Sequence, residues 1–442
     1  MAHPSDHTSF PKRLEIGERS TRGESDLSIA QAMNLSIWTV RKWRRLYQAY
    51  GRCGLMSQMG RPCRGALSTY PPILREEVEH LRLRHPGWGA GTIRIELNNV
   101  NKNSCEAIPS RSRIAAFLKE KKLTRPYERR GGVKTPRNHG ASQPHEEWQI
   151  DAQGRQQVDG LGQVCVINIS DVVSRLKTAS YPYLGGLGMD CDDYQLVLRW
   201  AFLHYGLPQR ISLDHDSVFH DNTSRSPFPT RLHLWLIALG VQVVFGRKGK
   251  PTDHGIIERT HQTLTRQAIQ GQCWTTQKAL WIGLDQRRDF LNACYPCRSL
   301  DERPPLSAYP QAAHSGHYYR PEWEEDLLDL TPVHQLLATG RWFRYTNLHG
   351  EFWLGMQRYN AGRRCAKTIM EITFDAEALE FIACQVKSKD IHRFPAKALT
   401  KVDLMGELSP ILKMPSFQLA LPFSRPVWRQ LFLANSLTGT TL

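Results

Sequence analysis

The chain has 442 residues, a formal net charge of +16 and 12 tryptophans. This length predicts about two to four domains, and the polar first residues give no sign of a signal peptide. The most apolar stretch begins at Leu232, but His233, Gly240 and Gln242 interrupt it, and it is too short to cross a bilayer. These features argue against a secreted or membrane protein, so we expect a soluble, cytoplasmic one.

The positive charge is concentrated at the N-terminal side of the chain. Residues 1–145 hold 26 Lys and Arg against 12 Asp and Glu, whereas residues 146–442 hold 32 against 30. Such a segregated excess indicates a polyanionic partner, most often nucleic acid. The ten cysteines suggest no disulfide framework, which is typical of a reducing compartment. Cys294 and Cys297 form a C-x2-C pair, but no second pair completes a zinc site, so we interpret them as ordinary thiols.

Residues 26–47, within a first module that we place at 1–66, predict two short helices with a turn near Asn34. Ser36 is suited to cap the second helix. This layout is typical of a helix-turn-helix whose second helix enters the major groove of DNA. Its candidate DNA contacts are Thr39, Arg41, Lys42, Arg44 and Arg45. The alternative is an ordinary basic helix facing solvent.

Residues 67–123 predict a second basic helix-turn-helix module. Residues 124–145 are rich in Pro, Gly and cations, so they predict a linker that runs along a phosphate backbone. The linker's candidate DNA contacts are Arg129, Arg130 and Lys134. Trp43 and Trp88 are expected to be core residues of the helical modules.

From residue 146 to residue 310, strand and helix patterns alternate after three sequential strands. This order predicts an α/β domain with a mixed sheet. Short β-prone runs in residues 335–403 predict a small β-barrel or meander. Trp342 and Trp353 are expected in its core, with stacking on nucleic-acid bases as the alternative. Residues 404–442 form a tail without a clear pattern.

Three carboxylates stand at corresponding places in the α/β region. Asp151 ends a first strand, Asp214 ends a later strand and Glu258 opens a helix. Each alone has an ordinary explanation as a turn residue or a first-turn acid favoured by the helix dipole. As a set, they are expected to converge on the sheet edge where ligands bind. Close carboxylates repel one another, and two divalent cations relieve that repulsion while activating phosphoryl transfer.

Four segments carry a family resemblance: "EEWQIDAQG", "INISDVVSR", "HYGLPQRISLDHDSVF" and "GKPTDHGIIERTHQTL". In this order they resemble the integrase-core insertion-sequence transposases, relatives of the retroviral integrases. The resemblance implies an RNase H-like core with a catalytic, metal-binding triad at Asp151, Asp214 and Glu258. It also implies two Mg²⁺ ions per active site, with Mn²⁺ as a substitute; Asp151 would contact both ions. The implied partners are double-stranded DNA at element ends and target, and further copies of the chain in a homo-multimer on nucleoid DNA.

The segments also depart from the family pattern. Asp214-His215-Asp216 replaces the usual Asp-Asn-Gly, which leaves Asp216 as a rival ligand, although the position of Phe219 favours Asp214. His254 lies one turn before Glu258 and is expected to orient that carboxylate or to contact DNA. Residues 220–230 are predicted to form an inserted surface loop. Further candidate DNA contacts near the third carboxylate are Lys248, Lys250 and Arg259.

The sequence therefore predicts a DNA transposase, a DDE-type polynucleotidyl transferase that frees 3′-hydroxyls and joins them to target DNA. One alternative is a sequence-specific DNA-binding regulator with a decayed catalytic core, which would bind DNA without metal-dependent chemistry. Another is a nuclease of the same fold, which would cut DNA without joining it. Retention of all three carboxylates argues against the regulator, and two helix-turn-helix modules argue against the nuclease.

Overall fold

The computed structural model describes residues 8–56, 65–100, 108–124, 140–185, 189–247 and 251–412. Contacts divide the chain into two compact units, Met1–Glu77 with Pro109–Thr124, and Val78–Ile108 with Arg125–Leu442. No helix in the described ranges is long and apolar enough to cross a membrane. Five predicted DNA contacts lie outside the described residues: Arg129, Arg130, Lys134, Lys248 and Lys250.

The N-terminal region is helical. Its helices are α1 Phe10–Thr21, α2 Asp26–Ala32, α3 Ile37–Tyr50, α4 Pro72–Arg84, α5 Ala90–Val100 and α6 Arg111–Glu120. The two short helices predicted for residues 26–47 are confirmed as α2 and α3, and Asn34 takes a positive φ of 50° in their turn. Helix α1 was not predicted. It is anchored by Arg13, whose Nη1 donates to the Leu55 carbonyl at 3.0 Å while its guanidinium lies 4.1 Å over the Trp43 ring.

The second unit is built on a five-stranded mixed sheet. Its strands are β1 Glu147–Val158, β2 Gly162–Asp171, β3 Lys177–Leu184, β4 Arg210–Leu213 and β5 Gln242–Phe245. The strand order is β3-β2-β1-β4-β5, with β1 to β3 antiparallel and β1, β4 and β5 parallel. The predicted mixed sheet is thus confirmed. Gln149 pairs with Ser212, so the continuation of both strands brings Asp151 level with Asp214.

Helices cover both faces of this sheet. They are α7 Cys191–Tyr205, α8 Arg231–Ala238, α9 Gly255–Leu264 and α10 Gln277–Ala293, with a π-helical turn Thr265–Ile269 between the last two. One apolar core contains Trp148, Ile150 and Ile169, and a second contains Val164 and Val166. Because successive strand side chains alternate, these cores lie on opposite faces.

The C-terminal part of the unit is β-rich. Its strands are β6 Trp342–Tyr345, β7 Glu351–Leu354, β8 Gln357–Asn360, β9 Ile369–Asp375, β10 Glu380–Gln385 and β11 Ile391–Pro395. They form a four-stranded antiparallel sheet, β11-β10-β9-β6, and a β7-β8 hairpin. Closure into a barrel stays a prediction. Short helices flank these strands: α11 Pro305–Ala308, α12 Glu324–Leu327, α13 Thr331–Thr339, α14 Lys401–Met405 and α15 Ser409–Leu412.

The two tryptophans assigned to the barrel core differ. Trp342 is 4% exposed, as expected. The expectation for Trp353 is wrong, because this side chain is 49% exposed. Its strand neighbours Phe352 and Leu354 are buried, so the two-residue alternation of a strand points Trp353 outward.

Side-chain contacts join two sheet helices and the 220–230 loop to the C-terminal part. Arg199 on α7 is 1% exposed and forms two hydrogen bonds with Glu324, Nε to Oε2 at 2.8 Å and Nη2 to Oε1 at 2.7 Å. The indole of Trp235 donates to the same carboxylate at 2.8 Å. Phe228 packs edge-on against Trp342, with ring centroids 4.9 Å apart.

The surface-loop prediction for residues 220–230 is therefore wrong in part, since Phe228 is only 6% exposed. Asp221 holds the loop together. Its carboxylate accepts hydrogen bonds from the loop residues Thr223 and Ser224 and pairs with Arg344 on β6 at 3.3 Å. Although burial acts to raise it, these hydrogen bonds lower the pKa of Asp221 from 3.8 to about 2.

Candidate active site

Asp214 directly follows β4, as predicted. The prediction that Asp151 ends its strand is wrong, because β1 continues to Val158 through its pairing with β2. Asp151 lies within β1, beside the point where the parallel strand β4 ends. Both side chains are half-buried. Burial raises the pKa of the Asp214 carboxyl above its ordinary value, and the charges of Asp151 and Asp216 raise it further. Like charges are thus crowded at this edge, which is the condition that a bound cation relieves.

Tyr194 on α7 lies under the same edge. Burial raises the pKa of its hydroxyl, and the charges of Asp216, Asp151 and Asp214 raise it further. The charges of these three aspartates therefore all act on one buried hydroxyl. The Tyr194 ring contacts Phe219 edge-on, with centroids 4.7 Å apart.

The turn after β4 distinguishes Asp214 from its rival Asp216. The backbone N–H of Asp216 donates to Asp214 Oδ1 at 2.9 Å. The Asp216 carboxylate is exposed and accepts from the Ser217 hydroxyl at 3.1 Å and the Val218 N–H at 3.2 Å. The Asp216 carboxylate thus stabilises the turn in which it lies, whereas Asp214 continues β4 beside Asp151. This geometry favours Asp214 as the second carboxylate.

Helix α9 is held on the sheet by hydrogen bonds from a fully buried glutamine. Gln149 Nε2 donates to the Asp253 carbonyl at 2.7 Å, and its Oε1 accepts the Ile257 N–H at 3.1 Å. Arg247 also holds Asp253, donating from Nε and Nη2 to its two carboxylate oxygens at 2.9 and 2.6 Å. The first turn of α9 carries Glu258. It is therefore fixed to β1 through Gln149, which lies two residues before Asp151.

Two further polar contacts continue along the same helix. Ser170 on β2 meets Thr260 with 2.8 Å between the hydroxyl oxygens. His261, 7% exposed, lies 2.7 Å from Asn168 through Nδ1 and 3.1 Å from Asp151 Oδ2 through Nε2. The backbone register pairs Asp151 with Asn168, so His261 bridges two neighbouring strands. We call these side chains the polar seam: Gln149, Asn168, Ser170, Thr260 and His261.

The third carboxylate is not grouped with the other two. Glu258 is exposed in the first turn of α9, and Arg259 beside it is also exposed. Within the described ranges, no three His, Cys, Asp or Glu side chains come close enough together to hold a metal ion. Both ring nitrogens of His254 are buried, and neither has a hydrogen-bond partner among the described residues. His254 lies near enough to Asp214 to oppose the rise in the pKa of that carboxyl.

The donor chemistry of this edge fits Mg²⁺. Asp151 and Asp214 offer carboxylate oxygens, and their mutual repulsion favours a cation between them. Mg²⁺ commonly binds proteins through one or two carboxylates and completes its shell with water and substrate phosphate oxygens. A pair of carboxylates with a third on the adjoining helix therefore suits the ion without a complete protein cage.

Two of the predicted DNA contacts on α3, Thr39 and Arg44, are half-buried and bonded within the protein. The other three are exposed. Ser36 caps the helix by accepting the Thr39 N–H at 3.1 Å, and the two hydroxyl oxygens lie 2.8 Å apart. Arg44 is half-buried and donates to Asp26 at 2.6 Å, and Arg41 is 3.5 Å from the same carboxylate. The outward residues recur at i, i+3, i+4 and i+7, so they share one helix face. This face, which we call the α3 face, consists of Trp38, Arg41, Lys42 and Arg45.

Sequence reasoning missed four of these residues. Trp38 is 74% exposed, and its position three and four residues before Arg41 and Lys42 was the signal that could have identified it. His261 follows Glu258 by three residues and Gln149 precedes Asp151 by two, which puts each beside a proposed ligand on its element. Tyr194 gave no signal, because its place depends on tertiary packing.

No family model matches the chain. The chain is similar to the solved catalytic core domain of BIV integrase, with 18% sequence identity over 38% of this chain and 95% of the integrase chain, at a TM-score of 0.28. It is also similar to a chain of the simian T-cell lymphotropic virus intasome in complex with PP2A regulatory subunit B56 gamma, with 14% identity, coverage of 69% and 96%, and a TM-score of 0.30.

Proposed function

We propose that this chain is a DNA transposase, a polynucleotidyl transferase that cleaves at the ends of a mobile element and joins the freed 3′-hydroxyls to target DNA. The observation that carries this proposal is the pair Asp151 and Asp214, crowded where β4 ends beside β1, next to the helix that carries Glu258. The resemblance of the four sequence segments to integrase-core transposases supports the same chemistry.

In this proposal Asp151, Asp214 and Glu258 hold two Mg²⁺ ions. When bound, the divalent cations supply positive charge that neutralises the phosphate and activates the attacking hydroxyl. Asp151 and Asp214 are held on the sheet before substrate binds, whereas Glu258 is exposed and joins them with DNA in place. The exposed Arg259 would contact the DNA backbone, whereas the ring nitrogens of His254 are buried and do not face solvent.

The α3 face would contact the element ends. Its cations are suited to phosphates and to guanine edges in the major groove, and the exposed indole of Trp38 is suited to thymine methyl groups. Arg44 would act indirectly, because its bond to Asp26 holds α2 against α3. Both element ends must be joined in concert, so we expect a homo-multimer on double-stranded DNA.

A strand-transfer assay tests the proposal. The full chain would be given a labelled duplex of the element's terminal sequence, plasmid target, and Mg²⁺ or Mn²⁺. We expect joined product from the wild type and a loss of about 1000-fold in Glu258→Gln, since losing a metal ligand removes several kcal/mol of transition-state stabilisation. Glu325→Gln, a change at another exposed helical glutamate, serves as the matched control and should join normally.

Other outcomes would assign a different function. Specific binding without cutting or joining in any variant would point to the DNA-binding regulator. Metal-dependent cutting without joining would point to the nuclease. Equal joining by the wild type and Glu258→Gln would contradict the role given to the third carboxylate.

A further inference from the structure

His261 bridges the catalytic edge to the neighbouring strand, yet it belongs to neither the carboxylate triad nor the predicted DNA contacts. Its imidazole is 7% exposed, and both ring nitrogens have protein partners. It follows Glu258 by three residues on α9, so the two side chains are neighbours on the helix surface. A buried histidine that touches a proposed metal ligand is a candidate for orienting that ligand.

The hydrogen-bond partners indicate which nitrogen carries the proton. Nε2 faces Asp151 Oδ2 at 3.1 Å, and a carboxylate can only accept. The proton on Nε2 is therefore required whenever Asp151 is ionised. Nδ1 then accepts from Asn168 Nδ2 at 2.7 Å, since an amide nitrogen can only donate. The chain Asn168, His261, Asp151 thus has one consistent direction of donation.

The same contact restricts the Asp151 carboxylate. Oδ2 is engaged by the imidazole, whereas Oδ1 accepts no hydrogen bond from the described residues. One oxygen is thereby held toward α9 and the rotation of the carboxylate is limited. Groups that hydrogen-bond to a metal ligand in this way commonly orient it, and their removal typically lowers metal affinity about 10- to 100-fold.

We propose, on the basis of the function proposed above, that His261 is a positioning residue that orients Asp151 for divalent metal through an Nε2–H hydrogen bond, with Asn168 setting the tautomer. His261 does not touch substrate in this role. It also ties the helix of Glu258 to the strand of Asp151, so that the first and third carboxylates share one anchor.

The test measures Mn²⁺ binding to the DNA-free full chain by electron paramagnetic resonance. We expect His261→Leu to weaken Mn²⁺ binding about 10- to 100-fold and His261→Gln, which keeps an N–H donor, to recover most of the loss. Gln262→Leu, at an exposed position one residue away, is the matched control and should bind as the wild type does. Thermal unfolding in EDTA shows whether each variant is folded.

A second measurement uses the wild-type chain and so does not depend on the folding of a variant. Long-range ¹H–¹⁵N correlation on histidine-labelled protein should place the His261 proton on Nε2, and adding Mg²⁺ should shift that resonance. An Nδ1–H tautomer, or Mn²⁺ affinity unchanged in a folded His261→Leu chain, would overturn the inference while leaving the transposase proposal standing. Mn²⁺ binding that survives Asp151→Asn would instead refute the metal site itself and this inference with it.

Discussion

The two helices with proposed functional roles, α9 and α3, are held in place by different forces. Helix α3 buries Val40 and Trp43 in an apolar core and turns its cations outward. Helix α9 also buries Ile257 and Leu264, but its face toward β1 and β2 is held by the side-chain hydrogen bonds of the polar seam. Helix α3 is thus held mainly by apolar contacts, whereas α9 is held by apolar contacts and by directional hydrogen bonds.

This difference matches what each surface has to do. Apolar burial is non-directional, so it holds a helix against a core without specifying each atom, and contacts to DNA phosphates tolerate small displacements. Hydrogen bonds weaken steeply when misaligned, so the polar seam sets the register of α9 on β1. Carboxylates that are to share a metal need that register. We therefore expect changes at the carboxylate edge to abolish function and changes at the α3 face to reduce it by degrees.

The largest expected effect is at the carboxylate pair. Asp151→Asn and Asp214→Asn should each lower strand transfer about 1000-fold, because each removes several kcal/mol of metal-dependent stabilisation. Asp216→Asn, two residues from Asp214 and exposed, should lower it less than tenfold. Joining rates under single-turnover conditions provide the measurement. A reversed order of Asp214→Asn and Asp216→Asn would assign the second ligand to Asp216.

The next effect concerns the stability conferred by the polar seam. Gln149→Leu removes both bonds to the start of α9 and leaves the Asp253 carbonyl and Ile257 N–H buried without that partner. The free energy of unfolding should fall by about 1–3 kcal/mol, measured by urea denaturation. Gln163→Leu, at an exposed position on β2, should change it by less than about 0.5 kcal/mol. Equal effects would mean that the seam is dispensable.

A smaller, graded effect is expected at the α3 face. Arg45→Ala should lower the slope of log affinity against log salt by about 1, because one phosphate contact is lost. Arg22→Ala removes an equally exposed arginine at the end of α1 and should leave the slope unchanged. Fluorescence anisotropy on an end-sequence duplex at several salt concentrations measures both. Complete loss of binding in Arg45→Ala would break the contrast between graded and all-or-none effects.

The smallest effect is a pH dependence in the loop after Asp214. The pKa of Asp221 is lowered in the folded chain to about 2 from 3.8, so its charge stabilises the fold above the ordinary value and that contribution disappears as pH falls through about 2. Asp221→Asn should therefore be less stable than wild type at pH 6, with the difference vanishing near pH 2. Urea midpoints followed by tryptophan fluorescence test this, with the exposed Asp159→Asn as the charge-matched control.

Periodicity predicted most of the architecture but not the elements with polar buried faces. Helix α1 was not predicted because one of its buried residues is Arg13. This side chain donates to the Leu55 carbonyl and lies over the ring of Trp43. A charged residue predicts exposure unless the partner is known, and here Leu55 is 42 residues away. The packing of Phe228 against Trp342 on β6 could not be predicted for the same reason, since it depends on a contact between segments far apart in the sequence.

Residues of the candidate site could be predicted where their position follows from the order of strands and helices along the chain. The order of strands and helices along the chain predicted Asp151, Asp214 and Glu258, and the structure brings the first two side by side where β4 ends, although Asp151 lies inside β1 and not at its end. The contact of His261 with Asp151 joins residues 110 positions apart, so no local pattern predicts it. Residues that support the site through hydrogen bonds between distant segments can be identified only once the fold is known.

The buried pair of Arg199 and Glu324 decides where a catalytic fragment of this protein can be cut. A fragment that stops at residue 310 would keep Arg199, 1% exposed, and delete the carboxylate that neutralises it. Removing one partner of a buried ion pair typically costs about 3–5 kcal/mol, a large share of the stability of an ordinary domain. The Arg199 guanidinium also donates to the Met405 carbonyl. A minimal expression fragment should therefore run through α14.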